Sequence, residues 1–234
     1  RRLARHAELP GATLGEGLVR ASIATERARR SEPAAAAAQH IERGLGDGSS
    51  IRARDVDVVG PFYALVLGLL ATDALDVAET AIERALADAR SSASIPAIAF
   101  LLAHRAWLAL RRGSIAQAEA DARSALELLS GHGIRLGDRF ALAALMLALI
   151  ERGAIEEADS VLRDSGLGDH VADGLAAKNL LESRALLRLA QGKPQAALDD
   201  LLEFGRRDEL WGCSNPLGSP WGSRAWAGPA ALGD

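Results

Sequence analysis

The hydrophobic positions of this chain recur in a long internal rhythm. Between Pro96 and Leu129, apolar residues fall at Ile98, Leu101, Leu102, Ala106 and Ala109, then at Ile115, Ala118, Ala122, Ala125, Leu126 and Leu129. The polar residues Gln117, Glu119, Asp121, Arg123 and Glu127 lie off that stripe. A stripe of period 3.6 predicts two amphipathic helices, with the polar side chains on a solvated face. Pro96 fits the first turn of a helix, where its missing N–H costs nothing. Gly113 separates the two helices, and a glycine there takes the left-handed conformation that closes a helix. Arg111, Arg112 and, one unit later, Arg152 stand next to that closure, where cations meet the negative helix end.

The same unit repeats. Ser31, Asp73, Gly113, Gly153, Gly192 and Gly233 stand 42, 40, 40, 39 and 41 residues apart. Five residues after the first five come Ala36, Ala78, Ala118, Ala158 and Ala197. Nine after come His40, Ile82, Ala122, Leu162 and Leu201, and three before come Ala28, Leu70, Leu110, Ile150 and Leu189. A fixed period with a fixed internal pattern is the mark of stacked helical hairpins. Small residues, Ala106 with Ala118 and Ala185 with Ala197, are expected to let the paired helices approach closely. The expected fold is all-α: a right-handed α-α superhelix, a tetratricopeptide-like solenoid of about five helix pairs with a period near 40. It is read as one array over residues 1–234, cut from a longer protein. Residues 51–234 carry the regular repeats, and residues 1–50 carry a less regular first pair (14–30 and 32–43) and a Gly/Ser linker at 44–50. Residues 166–174 read as a loop, and Pro220–Leu232 as the start of a further first helix, interrupted by Gly228 and Pro229.

Composition narrows the function. Apolar residues make up 49% and aromatics only 4%, so Ala and Leu dominate and a sheet fold is disfavoured. A net charge of −4 offers no broad attraction to a nucleic-acid backbone. The longest uncharged apolar run, 58–71, is too short to span a membrane. A lone Cys213 allows no internal disulfide and suits a reducing compartment. The one Gly-Lys pair, Gly192-Lys193, has Leu187 and Pro194 where a phosphate-binding loop needs Gly and Ser or Thr, so it reads as a turn. His6, His40, His104, His132 and His170 show no metal-ligand spacing. Asp199-Asp200 and Glu156-Glu157 read as solvated faces, and Arg206-Arg207 as cations at a helix end. No catalytic constellation emerges, and the segment is read as a non-enzyme.

Leu180–Ser223 is the most distinctive stretch. Arg184–Gly192, Gln195–Leu198, Phe204-Gly205-Arg206-Arg207, Asn215-Pro216 and Pro220-Trp221 together resemble the C-terminal helical region of large ATP-binding LuxR-family regulators from actinobacteria, the MalT-like signal-transducing NTPases. Trp107–Leu128 and Glu151–Ala158 are similar to the same region, and the likeness covers roughly residues 55–225. Gly222 stands where the family usually carries Arg, and Trp226, Gly228 and Pro229 replace an Ala/Leu helix. The resemblance implies a cytoplasmic transcriptional regulator that holds ATP and contacts DNA through separate domains. It assigns this segment the sensing of an inducer or partner protein, with no cofactor, nucleic acid or membrane bound by the segment itself. The alternative is a free-standing tetratricopeptide scaffold for protein–protein interaction. By analogy with tetratricopeptide arrays, first helices line the concave groove, which nominates Tyr63, Phe100, Trp107, Arg111, Phe140, Asn179 and Glu182 as contacts. The competing reading of the aromatics is core packing.

Overall fold

The computed structural model describes scattered positions between 16 and 30, then residues 66, 68–71, 73–135, 137–167, 171 and 178–213. All regular structure among the described residues is helical. Seven helices are delimited in full: α1 (Leu75–Ser91), α2 (Ile95–Arg111), α3 (Ile115–Gly131), α4 (Asp138–Glu151), α5 (Ile155–Asp164), α6 (Lys178–Ala190) and α7 (Pro194–Trp211). Helical residues at 66 and 68–71 precede α1. The expected pairs are therefore present as α2–α3, α4–α5 and α6–α7, with α1 following the helical residues up to 71. Of the first pair, the expected helix at 14–30 is helical at the described positions 16, 19, 22, 23 and 25–27; residues 32–43, the 44–50 linker, Tyr63 and the segment beyond Cys213 lie outside the described residues.

Each hairpin closes in the same way. Asp73, Gly113, Gly153 and Gly192 have φ of +59°, +74°, +80° and +70°. In each case the left-handed residue donates its N–H three residues back, and the next residue donates five back. At Gly113 these bonds are 3.1 Å to Leu110 and, from Ser114, 2.8 Å to Ala109. At Gly192 they are 3.0 Å to Leu189 and, from Lys193, 2.8 Å to Arg188. This double bond pattern satisfies carbonyls that the helix end leaves open. The same device ends α1 and α3, at Ala93 (φ +51°) and Gly133 (φ +65°). Gly192-Lys193 is thus a helix-closing turn, with Lys193 preceding Pro194 at the start of α7.

First and second helices differ in how they are buried. The second helices are amphipathic. In α1 the buried residues are Ala78, Ala81, Ile82, Ala85, Leu86 and Ala89, and α3 buries Ala118, Asp121, Ala122, Ala125 and Leu129. The first helices are covered on more sides. α2 buries Ala97, Ala99, Ala103 and Leu108 besides Leu101, Leu102, Ala106 and Ala109 of the expected stripe, whose Ile98 is only half-buried. In α4 every residue from Phe140 to Leu149 is buried. A helix that is apolar all round belongs in the interior, and α4 packs on α3, α5 and α6.

The chain divides into two compact units, with the main division between His104 and Arg105 inside α2. In the first, Val66, Leu69 and Leu70 are buried, as are Ala78, Ile82 and Leu86 of α1. In the second, one large cluster gathers Leu142, Leu145, Met146 and Leu149 of α4 with Ala158, Leu162, Leu180, Leu181, Leu187 and Phe204. Ala185, Ala197 and Leu201 form a smaller cluster, as the small-residue pairing of α6 and α7 predicts. The other expected pairing is shifted: Ala118 clusters with Ala109 and Ala148, whereas Ala106 joins Ala122 in the large cluster.

Candidate functional site

The chemistry of the second unit is concentrated in buried ion pairs, and two of these are copies of one another. Asp121 and Asp200 each lie eight residues after the left-handed glycine of their hairpin, and Arg105 and Arg184 eight before. Arg105 donates from Nε to Asp121 Oδ2 at 2.8 Å and from Nη2 to Oδ1 at 2.8 Å. Arg184 does the same to Asp200, at 2.9 and 2.6 Å. Both aspartates are only 4% exposed. The planar guanidinium matches a carboxylate with two parallel bonds, the geometry in which burial of charge is best compensated. Arg188 adds a third bond to Asp200 Oδ2 at 2.6 Å and caps the Ala196 carbonyl at 3.0 Å. In the hairpin between these two, the corresponding positions are Leu145 and Val161, and both pack in the large apolar cluster.

These aspartates correct two expectations. From the sequence, Asp121 reads as solvated on α3 and Asp200 as solvated on α7. Each is instead buried by a partner sixteen residues away. Asp199 is exposed, as expected, because the adjacent residue of a helix points elsewhere.

A second polar cluster joins the start of α6 to the end of α7. Lys178 Nζ donates to Asp208 Oδ1 at 2.5 Å and sits 4.9 Å from the centre of the Phe204 ring. Arg207 Nε donates to Glu203 Oε1 at 2.8 Å, and its Nη2 to the Val171 carbonyl at 2.8 Å. Hydrogen bonds from Arg206 and then Arg207 pull the Glu203 carboxyl down to about 2. Arg206-Arg207 are therefore not explained by the helix dipole, because α7 continues to Trp211 and has no basic residue in its last turn. Where α1 and α3 use Ala89 and Leu129, sixteen residues after their turns, α7 uses Asp208.

The nominated groove residues fall in several places. Trp107 is half-buried. Its ring stacks on Phe140 with centroids 5.2 Å apart and planes at 22°, and its Nε1–H donates to the Phe140 carbonyl at 3.1 Å. Phe140 itself is buried. The structure brings these two together within the second unit. Phe100 is half-buried on α2 against His104, with ring centroids 4.7 Å apart. Arg111 is half-buried in the last turn of α2, and Asn179 half-buried in the first turn of α6. Glu182 is buried one turn after Lys178.

His104 is fully buried and donates Nδ1–H to the Phe100 carbonyl at 2.7 Å, since a carbonyl can only accept. Burial disfavours the imidazolium and takes its pKa down to about 4, against a smaller opposing effect of that hydrogen bond. Among the described residues no three His, Cys, Asp or Glu side chains are grouped to hold a metal, and no helix is long and apolar enough to cross a membrane.

The buried pairs escaped sequence reading, although one signal was available. Arg and Asp recur at matched distances either side of Gly113 and Gly192, while the same positions around Gly153 are both apolar. Comparison with known proteins adds nothing to this: no family model, no curated protein and no solved structure matches the chain.

Proposed function

We propose that this chain is the sensor or protein-interaction arm of a LuxR-family, ATP-dependent transcriptional regulator. Its hairpins are read as turns of a right-handed, tetratricopeptide-like superhelix that takes up an inducer or a partner protein. The observation that carries this is the repeated hairpin itself. The same closure at Asp73, Gly113, Gly153 and Gly192 comes with a buried alanine five residues later each time. Repeats of this kind are suited to presenting an extended surface. The buried pairs Arg105–Asp121, Arg184–Asp200 and Lys178–Asp208 support the same reading, since each holds one helix of a hairpin to the other. The regulator assignment rests on the likeness of Leu180–Ser223. ATP and DNA are assigned to separate domains, and the protein to the cytoplasm.

The test is the reading frame on either side of Arg1 and Asp234. A phosphate-binding loop upstream and a helix-turn-helix downstream support the regulator. A frame that closes within a few residues of both ends refutes it and leaves the scaffold. In the regulator, replacing Arg111 by Glu at the proposed groove is expected to weaken the response to inducer or partner at least severalfold with helicity unchanged, as measured by binding and circular dichroism.

A further inference from the structure

Within the second unit, α5 is attached differently from every other helix. It is the shortest of the described helices, with ten residues, and buries only Ala158 and Leu162 from its own span. Those two side chains close the apolar cluster built on Leu142, Leu145, Met146 and Leu149 of α4. α5 packs mainly on α4 and only slightly on α6. Among the described residues it has no buried arginine–aspartate pair, because the positions that hold one in α2–α3 and α6–α7 are Leu145 and Val161 here.

Besides Ala158 and Leu162, the half-buried Ile155 and Val161 of α5 pack on that cluster, and the polar ties of α5 to its neighbours lie near the surface. Glu157 accepts from Arg123 of α3 at 2.6 Å and from Arg152, just after α4, at 2.7 Å. Glu119 of α3 accepts from Arg123 at 2.8 Å and forms an ion pair with Arg152 at 3.1 Å. Two glutamates and two arginines thus form a closed ring of alternating charge. The Glu157 and Arg152 side chains are 44% and 49% exposed, whereas Arg123 is 36% and Glu119 16% exposed. One further link reaches α5: Gln191, after α6, donates to Asp159 Oδ1 at 2.8 Å. The Asp159 carboxyl is lowered by that bond first and by Arg163 second.

We propose that α5 is a latch: a short helix held shut in part by a ring of four charges open to solvent on its Glu157–Arg152 side, whose release opens the apolar cluster along α4 while α6–α7 stays folded. The physical basis is a mismatch of strengths. Exposed pairs are weak and screened by salt, whereas buried bidentate pairs and a wide apolar face are not. The inference does not depend on the regulator assignment, because it uses only the packing of this unit.

Native-state hydrogen exchange tests it on the whole chain. Amides of residues 158–164 should exchange at least tenfold faster than those in the middle of α6 and α7. Raising NaCl from about 0.05 to about 1 M, which shortens the screening length to about 3 Å, should accelerate α5 severalfold more than α7. Glu157→Gln should reproduce that acceleration at low salt and abolish most of the salt effect. Equal protection of α5 and α6 overturns the proposal, and so does an α5 rate that responds to neither salt nor Glu157→Gln.

Discussion

The hairpins α6–α7 and α4–α5 start from the same plan and end with different fastenings. Both close on a left-handed glycine, and both place a fully buried alanine five residues later, Ala197 and Ala158. In α6–α7 the second helix has eighteen residues, and it is fixed by the Arg184–Asp200–Arg188 and Lys178–Asp208 ion pairs. In α4–α5 the second helix has ten, and its ionic ties lie at the surface. The shared backbone plan does not set the strength of a repeat. The side chains eight residues either side of the turn do, together with the length of the second helix.

That contrast makes graded predictions. The largest effect should come from Asp200→Asn. It leaves Arg184 and Arg188 without a counter-charge in a buried site, which costs about 3–5 kcal/mol; chemical denaturation measures the loss. The equivalent loss at Asp121 should be smaller, because Arg105 is more exposed than Arg184 and Asp121 pairs with one arginine where Asp200 pairs with two.

Acid should act outside both hairpins first. The unfolded chain protonates His104 near its ordinary 6.5, and the folded chain only near 4. Between those values the unfolded state holds the extra proton, so stability falls as pH falls through this window and is fully present above it. The slope from this one group is at most about 1.4 kcal/mol per pH unit. His104→Leu should flatten the curve between pH 6.5 and 4.5. A slope unchanged by that substitution would reassign the titration. Below about 4.5, loss of the Glu203 interactions with Arg206 and Arg207 adds in the same direction.

Overpacking should separate the two hairpins more finely. Ala197→Leu forces α6 and α7 apart at a cost of about 1–3 kcal/mol. Ala158→Leu should cost less than half of that, because α5 can shift against α4 without breaking a buried bond. Equal costs would mean that α5 is as firmly held as α7. The smallest effect is expected for the double change Arg105→Leu with Asp121→Val, which gives α2–α3 the pair that α4–α5 already carries. A buried ion pair replaced whole by apolar residues is near neutral, within about 1 kcal/mol in either direction.

Much of this plan was legible in the residues themselves. The turns at Asp73, Gly113, Gly153 and Gly192 were, because helix closure is written in a few adjacent positions. The alanines at the +5 positions were as well, since their spacing repeats with the turns. The burial of Asp121 and Asp200 was not. An aspartate off the apolar stripe reads as solvated until a partner on the other helix is placed beside it. Lys178 with Asp208 is harder still, because thirty residues separate them. The pairing of Ala106 with Ala118 failed for a related reason. Ala106 lies in the large cluster with Ala122 and α4, whereas Ala118 meets Ala109 and Ala148, so the neighbouring hairpin decides which small residues meet. Among the groove candidates, the stacking of Trp107 on Phe140 could be read only as one of two alternatives, because apolar residues at helical spacing serve core and surface alike.

The helix-closing turn also bears on how the chain folds as it is made. Every stop is formed by bonds spanning five residues or fewer, and the bidentate pairs span sixteen. A hairpin such as α2–α3 therefore holds nearly all the information for its own closure before the next forty residues exist. Chains dominated by such short-range contacts fold quickly, and they can do so piece by piece during synthesis. The α4 helix is the exception in this order of events. Its ten consecutive buried residues find cover only when both α3 before it and α6 after it are in place. During synthesis, that apolar stretch is the part of the second unit with the longest wait for its partners.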